Sequence, residues 1–350
     1  MGKKVITFGE VMIRLATPNH NRITQTERFK VTFGGGEANA AISLANYGMD
    51  AEFVTRLPDN ELAKKCVGVL RTKYVGVDHI IYGGYRMGLY YLETGASMRG
   101  SKVVYDRQHS AFAEIKPGMI NWEAIFEDAG WFHWSGITPA LSQDAADACL
   151  EAIKIAHRMG LTISCDINNR FSLWKYGKTI QEILPEMIQY CDVILASKQD
   201  MATIFDIHPL KEDLENTIHT ESKDVAEYES VCKQFIKQYP KASKIFTTFR
   251  DSISASHNKL NAVLVNREQL FKGPLYDIPD IIDRVGAGDS FMGGMIYGLL
   301  NFNDQKAINF AETASFLKHT IYGDFNRVTL QEIEDVMNGI IPADITYCGS

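Results

Sequence analysis

No apolar run in the 350-residue chain approaches the length of a membrane span, so the sequence offers no transmembrane helix. The opening stretch MGKKVITFGEVMIRL carries two lysines, but Gly9 and Glu10 interrupt it and no small-residue cleavage site follows. It does not read as a signal peptide. Basic residues are in deficit: 36 Lys and Arg stand against 43 Asp and Glu, a net charge of -7, with no Lys/Arg cluster to offset it. A nucleic-acid partner is disfavoured, because phosphate backbones are met by a basic face. An anionic ligand must instead be met by a few local arginines. Cysteine is sparse: Cys66, Cys149, Cys165, Cys191, Cys232 and Cys348 form no CxxC pair and no zinc-ligand spacing. Most lie in apolar runs and read as small buried hydrophobes, compatible with a reducing cytosol, and a cytoplasmic location is expected. Cys348, in a polar tail, is the one expected to be open to oxidation. The histidines show no HExxH or other ligand spacing. Two nucleotide signatures are also missing. No GKS or GKT follows a glycine loop, which excludes a Walker A motif, and no GxGxxG follows the first strand, which disfavours a dinucleotide oxidoreductase.

What is present is ordinary globular composition, 45% hydrophobic and 23% charged, enough for a substantial core. Lys4–Gly9 reads as a buried first strand. A Gly34-Gly35-Gly36 turn leads into a helix over Glu37–Tyr47 that ends at Gly48. A strand over Ala51–Leu57 and a helix over Glu61–Tyr74 follow. From Trp131 the rhythm is regular: strand WFHWSGI, helix Gln143–Met159, strand LTISCDI, helix Ile180–Tyr190, strand DVILAS and a short helix. This alternation predicts a mostly parallel sheet covered on both faces. Residues 208–228 are polar and acid-rich, a surface excursion running into a helix over Ala226–Tyr239. KIFTTF, SISAS and NAVLV read as three further strands, and helices over Asp289–Leu300, Gln305–His319 and Leu330–Asn338 close the chain. Two stretches, about 11–33 and 86–113, break the rhythm with half-exposed strand patterning. Together they could form a small sheet projecting over a crevice as a lid. There is no internal repeat.

Two glycine-rich segments carry the chemistry. In Asp283-Arg284-Val285-Gly286-Ala287-Gly288-Asp289, small residues open a helix, so that backbone N–H groups and the helix N-terminus make an anion site. Asp289 there has two readings, a helix cap or a carboxylate placed beside a phosphate cradle to accept a proton from an attacking hydroxyl. In Gly34-Gly35-Gly36-Glu37-Ala38-Asn39, the glycines permit close approach to a ligand and Asn39 can donate to and accept from a sugar hydroxyl, although a flexible turn is an equally simple reading.

Taken together, the two segments resemble the ribokinase (PfkB) family of sugar kinases, in order, separation and chain length. The resemblance spans essentially the whole chain and implies one α/β domain over 1–350, a ribokinase-like three-layer α/β/α sandwich with a small projecting β-sheet lid. It implies ATP with Mg2+ as phosphoryl donor and leaves a monovalent cation such as K+ open. Gly286, Ala287 and Gly288 would supply the anion hole and Asp289 the base. Within the family the sequence is most similar to the branch that phosphorylates the terminal (C6) hydroxyl of 2-dehydro-3-deoxygluconate. Gly88-Leu89-Tyr90, Val104-Tyr105-Asp106-Arg107, Asp166-Ile167-Asn168-Asn169-Arg170 with Leu173-Trp174, and Leu317-Lys318-His319-Thr320 with Gly323-Asp324-Phe325 match that branch.

The resemblance implies a sugar-acid site of Gly34, Gly35, Gly36, Glu37, Asn39, Tyr90, Tyr105, Arg107, Arg170, Asp283 and Asp324. It implies nucleotide contacts from Asn168, Ser197, Thr248, Arg250, Gly286 and Gly288, and a magnesium contact from Asp200 through water. Chemistry points the same way for the arginines, since a guanidinium grips a carboxylate through two hydrogen bonds. Their simpler readings are a solvated charge for Arg107, an ion pair with Asp166 for Arg170, and packing within the lid sheet for the tyrosines. The chain departs from the family pattern at Arg284, where threonine or serine is usual, at Ser197-Lys198-Gln199-Asp200 in place of N-x-x-E, and at Arg250, where a glycine is usual. A fructokinase or another sugar or nucleoside kinase of the family is the alternative, followed by a non-catalytic sugar- or nucleotide-binding regulator. The expected partners are small molecules and a second copy of the chain as a homodimer.

Overall fold

Alternate residues of the first strand face opposite ways, and both faces are apolar and buried, which only a covered sheet can satisfy. The computed structural model describes residues 4–211 and 222–340. Its strands are β1 (Lys4–Phe8), β2 (Met12–Ala16), β3 (Lys30–Gly34), β4 (Ala51–Val54), β5 (Arg56–Leu57), β6 (Ile81–Tyr82), β7 (Leu89–Glu93) and β8 (Lys102–Asp106). They continue as β9 (Ala129–Ser135), β10 (Thr162–Asp166), β11 (Val193–Leu195), β12 (Lys244–Ser252), β13 (Asn258–Asn266), β14 (Leu270–Lys272) and β15 (Tyr276–Ile278). The large sheet runs β14-β13-β12-β11-β10-β9-β1-β4, with β15 also on β13. It is parallel from β4 to β12 and antiparallel beyond. Ile6 and Phe8 pack into a core beneath helices Gln143–Arg158, Ile180–Ile188 and Lys223–Gln238. Val5 belongs to a second core under helices Gly36–Asn46, Glu61–Arg71, Ala287–Asn301 and Asp304–Lys318. The result is the expected three-layer α/β/α arrangement. No helix among the described residues is long and apolar enough to cross a membrane.

The two irregular stretches meet as expected in a separate four-stranded sheet, β3-β2-β7-β8. One face of it buries Met12, Ala16, Tyr90 and Leu92. Because β1 has β4 on one side and β9 on the other, the direction of winding reverses there. A crevice opens at the carboxyl ends of strands at such a switch point, and the glycine turns converge on it.

Some boundaries differ from the sequence reading. The strand expected over Ala51–Leu57 breaks after Val54, and Arg56 and Leu57 pair instead with Ile81 and Tyr82. SISAS is no separate strand. β12 runs on to Ser252 and turns back into β13, closed by Ile253 and Ser254 N–H groups on the His257 carbonyl. An alternating pattern cannot distinguish the end of one long hairpin strand from a short strand of its own. The helix at Lys223–Gln238 begins earlier than expected, after Ser222. The short elements Trp122–Phe126, β14 and β15 carry too few residues to show a period. Five cysteines are free and buried. Cys348 and residues 212–221 of the acidic excursion lie outside the described residues.

Candidate active site

A cavity of about 370 Å3 occupies the crevice, within the range of small-molecule sites. The main body contributes the Gly34–Glu37 turn, Asn39, Asp166, Asn168, Arg170, Gly286, Gly288 and Asp289, and the small sheet contributes Met12, Tyr90, Val103 and Tyr105.

The helix Ala287–Asn301 starts at Gly286, which is its N-cap with φ +83 and makes no side-chain cap bond. Asp289 is therefore not the cap. Its Oδ2 accepts a 2.6 Å hydrogen bond from Asn39 Nδ2, while Asn39 Oδ1 accepts from the Gly35 N–H at 3.3 Å. Asn39 thus ties the two glycine segments together across 250 residues of sequence. Desolvation pushes the Asp289 carboxyl up to about 6, against the Asn39 hydrogen bond and with help from the charge of Asp324. A carboxylate with that value is ionised at neutral pH yet basic enough to take a proton.

The glycine turn is sterically dictated at one residue and open at another. A Cβ on Gly286 would collide with the Asp324 carbonyl, and its φ suits only glycine. A Cβ on Gly288 meets nothing within 4 Å, but Gly288 lines the cavity. Gly286→Ala should therefore lower the thermal midpoint by a loss of at least ~1–3 kcal/mol. Gly288→Ala should keep the midpoint and instead raise KM for the nucleotide; thermal unfolding and initial-rate kinetics on the two variants check this.

A buried charge cluster lies behind the turn. Arg14, on β2 and 0% exposed, donates from Nη1 to Asp324 Oδ1 at 2.7 Å and from Nη2 to Asp283 Oδ2 at 2.5 Å. Asp283 also accepts from the Val285 and Gly323 N–H groups at 3.1 and 3.0 Å. Asp324 also accepts from the Tyr90 hydroxyl at 2.6 Å. Burial works against the charge on Arg14, but Asp324 and Asp283 outweigh it. Lys318 stands nearby, fully buried, its pKa lowered to about 8 by burial against the pull of Asp283 and Asp324. Asp324 and Tyr90 line the cavity but spend their polar atoms on this cluster, and Asp283 lies behind the cavity wall. Arg14 was not singled out from the sequence, and Lys318 stood there only inside the Leu317–Thr320 block, with no role of its own. Arg14 sits in a strand patterned as half-exposed, and its partners are 269 and 310 residues away.

The other acids and arginines also sort by partner. Glu37 lines the cavity, but its Oε1 accepts from the Ser135 hydroxyl; burial pushes it up to about 7. Arg107 is neither exposed nor free: its Nε donates to Glu10 Oε2 at 2.8 Å, and Ser110 holds the other Glu10 oxygen. Glu10, unnoticed in sequence except as an interruption of an apolar run, thus belongs to the site. Arg170 is exposed at the cavity, and among the described residues its guanidinium donates only to the Asn169 carbonyl, at 3.1 Å. An ion pair with Asp166, the simpler reading of Arg170, is absent among the described residues. Asp166 accepts instead from the Asn168 N–H at 3.0 Å. Desolvation and the charge of Asp289 lift it to about 8, so it is mostly protonated at neutral pH. Tyr105, 45% exposed, stacks obliquely near Tyr90 and lines the cavity.

On the nucleotide side, Asn168 and Arg250 line the cavity, while Thr248 pairs with Ala262 within the sheet and does not. Ser197 and Asp200 also lie outside the lining and form a reciprocal cap on helix Lys198–Phe205: Asp200 Oδ2 accepts from Ser197 N and Oγ at 2.9 and 2.6 Å. No group of three or more potential metal-ligating side chains occurs among the described residues.

The family model described as pfkB family carbohydrate kinase matches residues 2–323. A crystal structure of 2-dehydro-3-deoxygluconokinase from Thermotoga maritima is 43% identical, with a TM-score of 0.88 over 96% of this chain and 100% of that one. The 2-dehydro-3-deoxygalactonokinase of Haloferax volcanii is 28% identical over 97% of this chain and 98% of its own length. A fructokinase from Xylella fastidiosa solved with bound ATP shares the fold, with a TM-score of 0.76 at 20% identity, over 97% of this chain and 99% of that one. A glycine turn, a carboxylate beside it that burial pushes up to about 6 and full-length likeness to sugar kinases converge on one conclusion: this chain belongs to the pfkB family of carbohydrate kinases.

Proposed function

We propose that the protein transfers the γ-phosphoryl group of ATP to the terminal (C6) hydroxyl of 2-dehydro-3-deoxygluconate, giving the 6-phosphate and ADP. The observation that carries the substrate assignment is Arg170: a guanidinium with no carboxylate partner among the described residues shares a cavity with the base Asp289. A sugar acid offers the anion that a neutral hexose lacks, and the kinships to 2-dehydro-3-deoxygluconokinase and 2-dehydro-3-deoxygalactonokinase support this class. In this reading the acid lies against Gly34–Asn39, with its carboxylate on Arg170 and on the one Arg107 nitrogen that Glu10 leaves free, Nη1. Tyr90, Tyr105, Glu37 and Asp324 wall the sugar, and Asp283 acts through Arg14 and Val285. Asp289 takes the hydroxyl proton as the oxygen attacks phosphorus in line. Gly286, Ala287 and Gly288 face the phosphate, and the small sheet excludes water.

Magnesium fits as the partner of the triphosphate rather than of a protein cage, since it keeps several waters and needs one or two carboxylates. Asp200 has one oxygen outside its cap, and its charge reaches Asp166. Asp200 would hold the metal's water shell, and the bound metal would neutralise phosphate charge and draw Asp166 toward its ionised form. Asn168, Ser197, Thr248 and Arg250 belong to the nucleotide half. A homodimer is part of the same reading: β8 is an edge strand exposed along its whole length, with Val103 at 42% and Val104 at 53%.

The test is a coupled ADP-release assay with Mg·ATP, with and without KCl, on 2-dehydro-3-deoxygluconate, its galactonate epimer, fructose, ribose and gluconate. A preference for a keto-deoxy acid is expected. Arg170→Ala should raise KM for that acid about 10–100-fold, the worth of hydrogen bonds to a charged group, and change fructose kinetics little. A preference for fructose that Arg170→Ala leaves intact would overturn the substrate assignment.

A further inference from the structure

Two cations stand together at the glycine turn without a counter-ion among the described residues. Arg250 comes from β12, and Arg284 comes from the loop two residues ahead of Gly286; both line the cavity with Gly286 and Gly288. Arg284 Nη2 donates to the Ala255 carbonyl at 2.6 Å, which anchors it across the β12–β13 turn. The arginine ion pairs among the described residues are those of Arg14, Arg86, Arg99, Arg107 and Arg158. Arg250 and Arg284 have none. They are close enough that, after burial, the charge of Arg284 is the main influence lowering the pKa of Arg250.

The one carboxyl whose charge registers at Arg250 is Glu312, and it does not neutralise the pair. Glu312 is 0% exposed, and neither of its oxygens has a hydrogen-bond partner among the described residues. Burial pushes it up to about 8, so it is mostly protonated at neutral pH. His319 brings no charge of its own, since burial keeps it neutral and both arginines oppose its charging. Two like charges held side by side at a helix N-terminus raise the energy of the empty site and lower it once an anion arrives. Planar guanidinium groups suit phosphate oxygens, and the adjoining N–H groups of the turn add donors of the same kind.

Resting on the kinase reading above, we infer that Arg250 and Arg284 form a two-arginine clamp on the phosphate chain of the nucleotide, closing over the group that is transferred. The other anion in the reaction, the sugar carboxylate, is less suited to this pair. Both arginines belong to the hairpin and loop that carry the glycine turn, whereas Arg170 follows β10. The clamp supplies fixed positive charge to the equatorial oxygens of the transferring phosphoryl group, whose charge an arginine is well placed to stabilise.

The test compares Arg250→Gly, Arg284→Thr and the two lysine variants, Arg250→Lys and Arg284→Lys, with the unmodified protein. KM for ATP and kcat should both worsen, with kcat/KM for ATP falling about 10–100-fold per arginine removed. KM for the sugar acid should stay within about twofold, and lysine should restore part of the loss because it keeps charge without the fork. Thermal midpoints guard against misfolding, and Arg250→Gly serves if Arg284→Thr loses its anchor at Ala255. Calorimetric titration with tripolyphosphate reads the clamp without any sugar turnover. Weakened tripolyphosphate binding in the variants supports the clamp even if the unmodified protein phosphorylates none of the sugars tested, an outcome that sinks the kinase assignment alone. Unchanged tripolyphosphate binding and unchanged kcat/KM for ATP, in a protein that phosphorylates a sugar acid normally, overturn the clamp alone. A rise confined to KM for the sugar acid also overturns it and moves the pair to the sugar carboxylate.

Discussion

Replacing Asp289 by asparagine should lower kcat by ~10²–10⁴-fold, the usual worth of a positioned base, while leaving the fold and KM for both substrates nearly unchanged. The substitution preserves shape, and the asparagine side-chain oxygen can still accept from Asn39 Nδ2 as Asp289 Oδ2 does at 2.6 Å. Asp289 caps no helix, and because burial disfavours its charged form the neutral asparagine should not cost stability. What disappears, in the proposed mechanism, is the ability to take the hydroxyl proton. The pH profile separates this role from a merely structural one. The Asp289 carboxyl sits at about 6, so kcat/KM of the wild type should fall as pH drops through about 6 and level off above it. In the asparagine variant that acid limb should vanish from the residual rate. A variant with wild-type kcat, or with the same acid limb, would remove Asp289 from the role of base.

The second large effect is on stability. Arg14→Met should destabilise the protein by ~3–5 kcal/mol, because it strands two buried carboxylates. Folded proteins are stable by only ~5–15 kcal/mol, so urea unfolding should shift plainly. Asp324 is 4% exposed and Asp283 6%, and each loses its only ion-pair partner among the described residues. Lys318 cannot replace the arginine, since burial already lowers it to about 8 and its Nζ donates to the Ile321 carbonyl at 3.1 Å. The penalty should depend on pH with a definite sign. Asp324 already has a raised pKa from desolvation, against the pull of Arg14, and without Arg14 it rises further. The folded variant then binds protons more readily than the unfolded chain, so its stability falls as pH rises. The gap to wild type should therefore be smaller near pH 5 than near pH 8. Asp283→Asn and Asp324→Asn added to Arg14→Met should recover part of the stability. A gap independent of pH, or no gain from the asparagines, would show that the cluster is not held by charge.

The same cluster explains how the small sheet reaches the chemistry. Arg14 belongs to β2, Asp283 leads into the glycine turn and Asp324 packs its carbonyl against Gly286. Any shift of β2 is felt at the turn through two ionic contacts rather than through loose packing. Arg14→Met should accordingly cost activity as well as stability.

Several features were determined by sequence alone because their causes are local. The βαβ rhythm follows from strands that are apolar on both faces and helices that are apolar on one, and each can be read within a dozen residues. The glycine turn follows from small residues that only a tight, left-handed entry to a helix requires, as Gly286 demonstrates. The two irregular stretches were visible because half-exposed strands alternate where buried ones do not. Only the tertiary structure decided which charged side chains face a ligand. Arg14 looked like a surface cation and is instead buried on Asp283 and Asp324, and Arg107 reaches the cavity but is held by Glu10, while Arg170, Arg250 and Arg284 keep their charge unpaired at the cavity. An ion pair between residues hundreds of positions apart leaves no periodic trace in either segment. It exists only once the fold has excluded water around both partners, and that exclusion, more than residue type, sets the protonation of Asp289, Asp166 and Lys318.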